Sequence, residues 1–177
     1  GFFKLGENNI QGGSMWGKVV YRCRHYFLCV GYAVMLIGEY NHTLDKKGRV
    51  IVPSRFRDEL GENFIITRGM DSCLFLYPMY EWKNLETRLK GLPFNKAETR
   101  AFLRLFFSGA SEVEVDKQGR ILIPPLLRDH SHLKKDVVFI GVSNRAEIWS
   151  KEIWEEYSSN SSLSFEQISE KLMDFQM

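Results

Sequence analysis

The chain has 177 residues, 44% of them apolar and 14% aromatic, with a formal net charge of only +2. That excludes a disordered chain and a uniformly basic nucleic-acid coat, and it leaves room for one ordinary domain or two half-size units sharing a core. Charge is unevenly spread: residues 1–34 hold Lys4, Lys18, Arg22 and Arg24 against Glu7, leaving residues 35–177 at −1, so any nucleic-acid role has to rest on local patches.

Residues 1–34 share nothing with the rest of the chain, and Met35 stands immediately before the organised part of the sequence. Met35 is therefore the expected initiator, and residues 1–34 an N-terminal extension outside the fold. The apolar stretch from Tyr26 to Ile37 after Lys18, Arg22, Arg24 and His25 has the outline of a secretory leader. It is too short to span a bilayer and lacks a small-x-small cleavage site, so export is not expected. The three cysteines, Cys23, Cys29 and Cys73, are odd in number and have no zinc-like spacing, which fits a reduced intracellular setting.

From Glu39 the chain reads as a short strand to Leu44, a tight turn, and a strand from Arg49 to Val52 whose apolar content predicts burial. In the turn, Asp45 can accept from backbone two residues on, and Gly48 tolerates the positive φ that closure needs. Pro53 ends the strand and suits the first turn of a short helix through Leu60. Strands Phe64–Thr67 and Leu74–Tyr77 complete a unit over residues 39–81. Residues 82–109 then link. Met79, Trp82, Leu85 and Leu89 recur at helical spacing up to Gly91, and Asn95 with Glu98 resembles a capping box for a helix showing Ala101, Phe102, Leu105 and Phe106 on one side. Both stripes are expected to be core.

The unit then repeats. LDKKGRVIVP from Leu44 to Pro53 returns as VDKQGRILIP from Val115 to Pro124; Asp45 and Asp116, Gly48 and Gly119, Arg49 and Arg120, Arg57 and Arg128 are each 71 apart. An insertion between Asp129 and Asp136 shifts later landmarks by one, so Tyr77 matches Trp149 and Trp82 matches Trp154. The second unit covers residues 110–153, with strands Ser111–Val115, Arg120–Ile123, Val137–Ile140 and Glu147–Trp149. A tail over residues 154–177 carries Ser164, Phe165, Gln167, Ile168 and Leu172 as a last short helix, in a strongly acidic stretch that begins at Glu147. Two units of about 40 residues bury little apart and enough together.

Catalysis is not expected. His25, His42, His130 and His132 have no repeated placement, and no nucleophile elbow, phosphate loop or metal spacing occurs, so no cofactor, metal or small-molecule substrate is implied. The arginines carry the signal. A turn needs its Asp and Gly but not Arg49 and Arg120 directly after the glycine, and Arg presents a planar fork suited to phosphate oxygens and guanine edges. Lys46, Lys47 and Lys117 add point charges to the same turns, and Arg55 and Arg57 extend the first cluster. The competing role is local pairing of each Arg with the Asp four residues earlier.

The doubled D-x-x-G-R turn, in GEYNHTLDKKGRVIVPSRFR and VDKQGRILIPPLLR, resembles the MraZ family of bacterial transcriptional regulators, related to AbrB-type swapped-hairpin proteins. The resemblance runs from residue 35 to about residue 174. It implies a mainly β fold with helices (α+β), a double-split β-barrel of two tandem pseudo-symmetric repeats. It further implies a cytoplasmic, nucleoid-associated repressor and autoregulator of the division and cell-wall gene cluster. Such a regulator binds repeated promoter elements of double-stranded DNA as a ring-like homo-oligomer, with no membrane partner. Asp45 with Arg49 and Asp116 with Arg120 fall on the family's D-x-x-x-R positions. The rival from another class is an antitoxin-like or scaffold barrel whose basic turns bind an acidic protein; salt-dependent, sequence-specific binding to duplex DNA separates the two.

Overall fold

The computed structural model describes residues 35–159, which form eight strands and five helices. The predicted N-terminal extension and the helix expected around Phe165 to Leu172 lie outside the described residues. Strand β1 (Leu36–Thr43) leads through the first Asp-x-x-Gly-Arg turn into β2 (Arg49–Ile51), then α1 (Ser54–Leu60), β3 (Asn63–Arg68) and β4 (Leu74–Pro78). Helices α2 (Met79–Lys90) and α3 (Ala97–Ser108) follow. The second unit runs β5 (Ser111–Glu114), β6 (Arg120–Leu122), α4 (Pro125–His130), β7 (Asp136–Ser143), β8 (Ala146–Ser150) and α5 (Lys151–Ser159). The fold is mixed α+β and built from two repeats, as the duplicated motif predicts.

The units do not form separate sheets. A six-stranded antiparallel sheet has the order β1-β7-β8-β4-β3-β5, and a two-stranded ribbon pairs β2 with β6. The opening strand of each unit therefore hydrogen-bonds to the third strand of the other: β1 runs along β7 from Leu36 opposite Ser143 to Thr43 opposite Asp136, and β5 runs along β3. The order is symmetric about the β8–β4 junction, where Leu74 faces Ile148. This is how two short units obtain one core: Val50, Val52, Phe56, Phe64, Leu74, Ile121, Ile123, Phe139 and Ile148 are buried in a single cluster drawn from both. Phe56 of α1 is fully buried, packed edge-on against Tyr40 of β1 at 5.1 Å and Phe139 of β7 at 6.5 Å. A buried side chain of this size contributes about 1.5–3 kcal/mol.

Three expectations need correction. Strands β2 and β6 are not buried on both faces: Val50 and Ile121 point inward, while Ile51 and Leu122 are about half exposed, because the ribbon covers the core with one face only. The helical stripes are not core either. On α2 no residue is fully buried, and on α3 only Phe106 is, leaving Phe102 and Leu105 exposed. What holds these helices is a short aromatic stack, Trp82 on Phe106 at 5.7 Å and Phe102 on Phe106 at 5.5 Å, with the buried Thr67 hydroxyl donating to the Phe106 carbonyl at 2.8 Å. Finally, Asn95 does not cap α3. The helix starts at Ala97 with Lys96 at the cap position and no side-chain cap bond, which leaves Asn95 one residue too early to reach the free N–H groups.

Among the described residues no helix is long and apolar enough to cross a membrane, and no group of three or more His, Cys, Asp or Glu converges as a metal site would require.

Candidate nucleic-acid interface

Both Asp-x-x-Gly-Arg turns close in the same way. In the first, Asp45 Oδ1 accepts from the backbone N–H of Lys47 at 2.8 Å and of Arg49 at 2.9 Å; in the second, Asp116 Oδ1 accepts from Gln118 and Arg120 at 2.8 and 2.9 Å. Backbone bonds complete each loop, from Gly48 N–H to the Asp45 carbonyl at 2.9 Å and from Gly119 N–H to the Asp116 carbonyl at 2.8 Å. The glycines have φ of 80° and 76°, the left-handed region that a residue with a Cβ rarely adopts. Asp and Gly are thus accounted for by the turn itself.

Beyond the turns, β2 and β6 form the ribbon, with Arg49 opposite Leu122 and Ile51 opposite Arg120. Strand alternation turns Val50 and Ile121 to the core, so Arg49, Ile51, Arg120 and Leu122 share the outer face with the arginines at diagonal corners. Lys46, Lys47 and Lys117 are exposed on the turns beside them. The structure therefore brings all five predicted cationic residues onto the β2–β6 ribbon and its two turns, where Arg120 is near enough to help lower the Asp45 pKa.

The two arginines differ in what they touch. Arg120 donates from Nε and Nη2 to Asp116 Oδ2, at 2.9 and 2.8 Å, a two-pronged ion pair. Among the described residues Arg49 makes no side-chain hydrogen bond or ion pair, and Asp45 Oδ2 accepts none. The carboxylates register this difference. The Arg120 guanidinium and backbone hold Asp116 down to about 2, whereas Asp45 is lowered chiefly by the Arg49 backbone N–H. Local pairing, the competing role for these arginines, is thus realised in the second turn and not in the first.

Two residues of the face lie outside the predicted site. Arg128 of α4 lies over the Gly48 turn, where a Cβ on Gly48 would come within 2.8 Å of its Cζ; Arg57 of α1 lies over Gly119 in the same manner, with Cζ at 2.9 Å. Each glycine is covered by the arginine of the other unit. Carbonyls reinforce the exchange: Gly119 accepts from Val52 N–H and Gly48 accepts from Ile123 N–H, both at 2.9 Å. Among the described residues the Nε atoms of Arg57 and Arg128 are buried without a hydrogen-bond partner, and neither guanidinium forms an ion pair with a carboxylate. The 71-residue spacing of Arg57 and Arg128 is the available signal. It does not say that the partners are crossed.

Comparison with known proteins gives concordant results. The family model described as "MraZ protein, putative antitoxin-like" matches residues 35–105 and again residues 106–176. The chain is 61% identical over 140 residues to the "Transcriptional regulator MraZ" of Thermoanaerobacter sp. (strain X514), covering 79% of this chain and 98% of that protein. It is 61% identical over 141 residues to the protein of the same name from Caldanaerobacter subterraneus subsp. tengcongensis, covering 80% and 99%. For that of Heliobacterium modesticaldum the identity is 56% over 143 residues, covering 81% and 100%.

Proposed function

Because this chain belongs to the MraZ family, we propose that it is a transcriptional regulator that binds duplex DNA through the β2–β6 ribbon and its two flanking turns. The relatives carry the name of transcriptional regulators, which is not an enzyme's name. The observation that carries the DNA reading is the unpaired Arg49 on an outward ribbon, flanked by exposed Lys46 and Lys47 and diagonal to Arg120. A two-stranded ribbon fits the major groove, and an arginine fork that no carboxylate hydrogen-bonds among the described residues is available for a guanine edge or a phosphate. Lys46, Lys47 and Lys117 supply backbone contacts, which set register without reading sequence. Asp45, Gly48, Asp116 and Gly119 hold the turns in shape.

The binding unit comprises residues 39–81 and 110–153, joined by 82–109 and followed by the 154–177 tail, with residues 1–34 outside it. In our reading the chain acts in the cytoplasm at the nucleoid, as a repressor and autoregulator of the division and cell-wall gene cluster. It works as a ring-like homo-oligomer on repeated promoter elements. Assembly is useful because one modest basic face per subunit gains apparent affinity once a neighbour has engaged the adjacent repeat. Exposed Phe102, Leu105 and Met70 supply apolar surface for self-association.

The family description also contains the word antitoxin, which supports a second reading in which the same basic face binds an acidic protein. Fluorescence anisotropy decides between them. Binding to the DNA upstream of the chain's own gene should exceed binding to a scrambled duplex and should weaken linearly in log–log form as salt rises. Equal binding to both duplexes would remove the regulator reading in favour of the protein partner.

A further inference from the structure

The outer face of the ribbon is not wholly cationic. Arg49 stands opposite Leu122 and Ile51 opposite Arg120, so two arginines and two large aliphatics alternate across it. Ile51 is 48% exposed and Leu122 55%. One exposed aliphatic on a surface is ordinary, but these two hold the same place in both repeats, 71 residues apart. Packing gives no reason for them, because the inward Val50 and Ile121 of the same strands already meet the core. Strand propensity does not explain them either, since leucine has no β-branch and threonine would serve an exposed strand without bare hydrocarbon.

What surrounds the pair selects its occupant. Lys46, Lys47 and Lys117 are exposed on the adjoining turns, and the two turn aspartates commit Oδ1 to backbone N–H groups. An apolar protein patch pressed on this face would strip water from the arginines without supplying counter-charge, which is costly. Phosphate oxygens satisfy the cations but gain nothing from an aliphatic side chain. The major groove of duplex DNA offers partners for both: phosphates at its rims, guanine acceptors on its floor, and one hydrocarbon group, the C5-methyl of thymine. Spacing agrees with this. Cross-strand neighbours lie about 5 Å apart and outward residues of one strand about 7 Å apart, against about 3.4 Å between successive base pairs.

We propose that Ile51 and Leu122 are specificity-determining residues that pack on thymine C5-methyl groups, with Leu122 on a base beside the one that Arg49 reads. The proposal rests on the DNA reading advanced above and adds to it a second kind of base. The arginine forks select guanine. The aliphatics select thymine over cytosine, which presents a bare ring carbon where thymine carries its methyl. The lysines of the turns, reaching phosphates, take no part in this choice.

The experiment is fluorescence anisotropy of the full chain on the duplex upstream of its own gene, prepared with thymine and again with uracil, which pairs identically and lacks only the methyl. The wild-type chain should bind the uracil duplex more weakly, by about fourfold for each contacted methyl removed. Ile51→Ser combined with Leu122→Ser should bind the two duplexes equally and still prefer both to a scrambled one, because Arg49 remains. Both positions are exposed, so the melting temperature should hardly move. The wild-type comparison uses no variant, so a folding defect in the double variant leaves it standing. A wild-type chain indifferent to uracil but selective against scrambled DNA would overturn this inference and leave the DNA reading intact. Indifference to all three duplexes would overturn both, in favour of the acidic protein partner. Uracil sensitivity undiminished in the double variant would mean that the methyls act through the shape of the duplex, and the assignment of Ile51 and Leu122 would be wrong.

Discussion

The turn at Asp45 and the turn at Asp116 have the same backbone hydrogen bonds and the same glycine conformation, yet Arg120 is held in a two-pronged pair with its aspartate and Arg49 is not. The surroundings differ in the same sense, since Lys46 and Lys47 stand on the first turn and Lys117 alone on the second, while the covering arginines, Arg128 over Gly48 and Arg57 over Gly119, add one each. A pseudo-symmetric scaffold has therefore kept two copies of one loop in different electrostatic states. One arginine is free to bind, while the other is preorganised and partly neutralised. On the proposed DNA-binding reading this would give the face a direction, because a pair of equivalent turns would read a site equally well in either orientation and an unequal pair would not.

The largest expected effect attacks what the turns share. Gly119→Val should destabilise the fold by about 1–3 kcal/mol, because it forces a β-branched residue to positive φ. Gly48→Val should cost somewhat less, since the Arg57 guanidinium lies closer to Gly119 than Arg128 does to Gly48. Chemical denaturation measures both. Equal tolerance of both substitutions would show that the covering arginines move aside freely.

The next effect tests what the turns do not share. Arg49→Ala should weaken specific DNA binding by about 1–3 kcal/mol with the melting temperature nearly unchanged. Arg120→Ala should weaken it less, and should also lower stability slightly, in keeping with an exposed ion pair. Anisotropy and thermal melts on the same samples separate the terms. A larger binding loss from Arg120→Ala than from Arg49→Ala would reverse the assignment of the free arm.

The smallest effect is in protonation. Asp116 is depressed to about 2 from an ordinary value of 3.8, so its contribution to stability is complete above the unfolded value and disappears as pH falls through about 2. Asp45 is lowered without help from its own arginine's side-chain hydrogen bonds and should protonate first on acidification. Carboxyl carbon NMR titration reads the order directly. In Arg120→Ala the two midpoints should converge, and a persistent gap would mean that the ion pair is not its cause.

Local features of this fold are legible in the sequence, and crossed ones are not. Asp45, Gly48 and Pro53 act on neighbours a few residues away, so their types and spacing locate the turn, the strand end and the start of α1. The arginines of the ribbon stand out because the backbone of each turn closes on its Asp and Gly without an arginine side chain. Arg57 and Arg128 do not, since each serves a glycine of the other unit and nothing in a single copy points across. The stripe of Phe102, Leu105 and Phe106 has the periodicity of an amphipathic helix, but periodicity identifies an apolar face without saying what covers it. In β2 and β6 the exposed Ile51 and Leu122 pass for core because an aliphatic residue reads the same on either face of a ribbon.

The exchange of opening strands between units bears on how the chain is made. Strand β1 finds its partner β7 about 100 residues downstream, and β5 must reach back to β3, so neither half can complete its sheet alone. During synthesis the first half emerges with an unsatisfied strand and remains so until residues 136–143 have left the ribosome. Pairings this distant are slow to form and expose apolar edges to other nascent chains in the meantime. The same interval allows β1 of one chain to meet β7 of another.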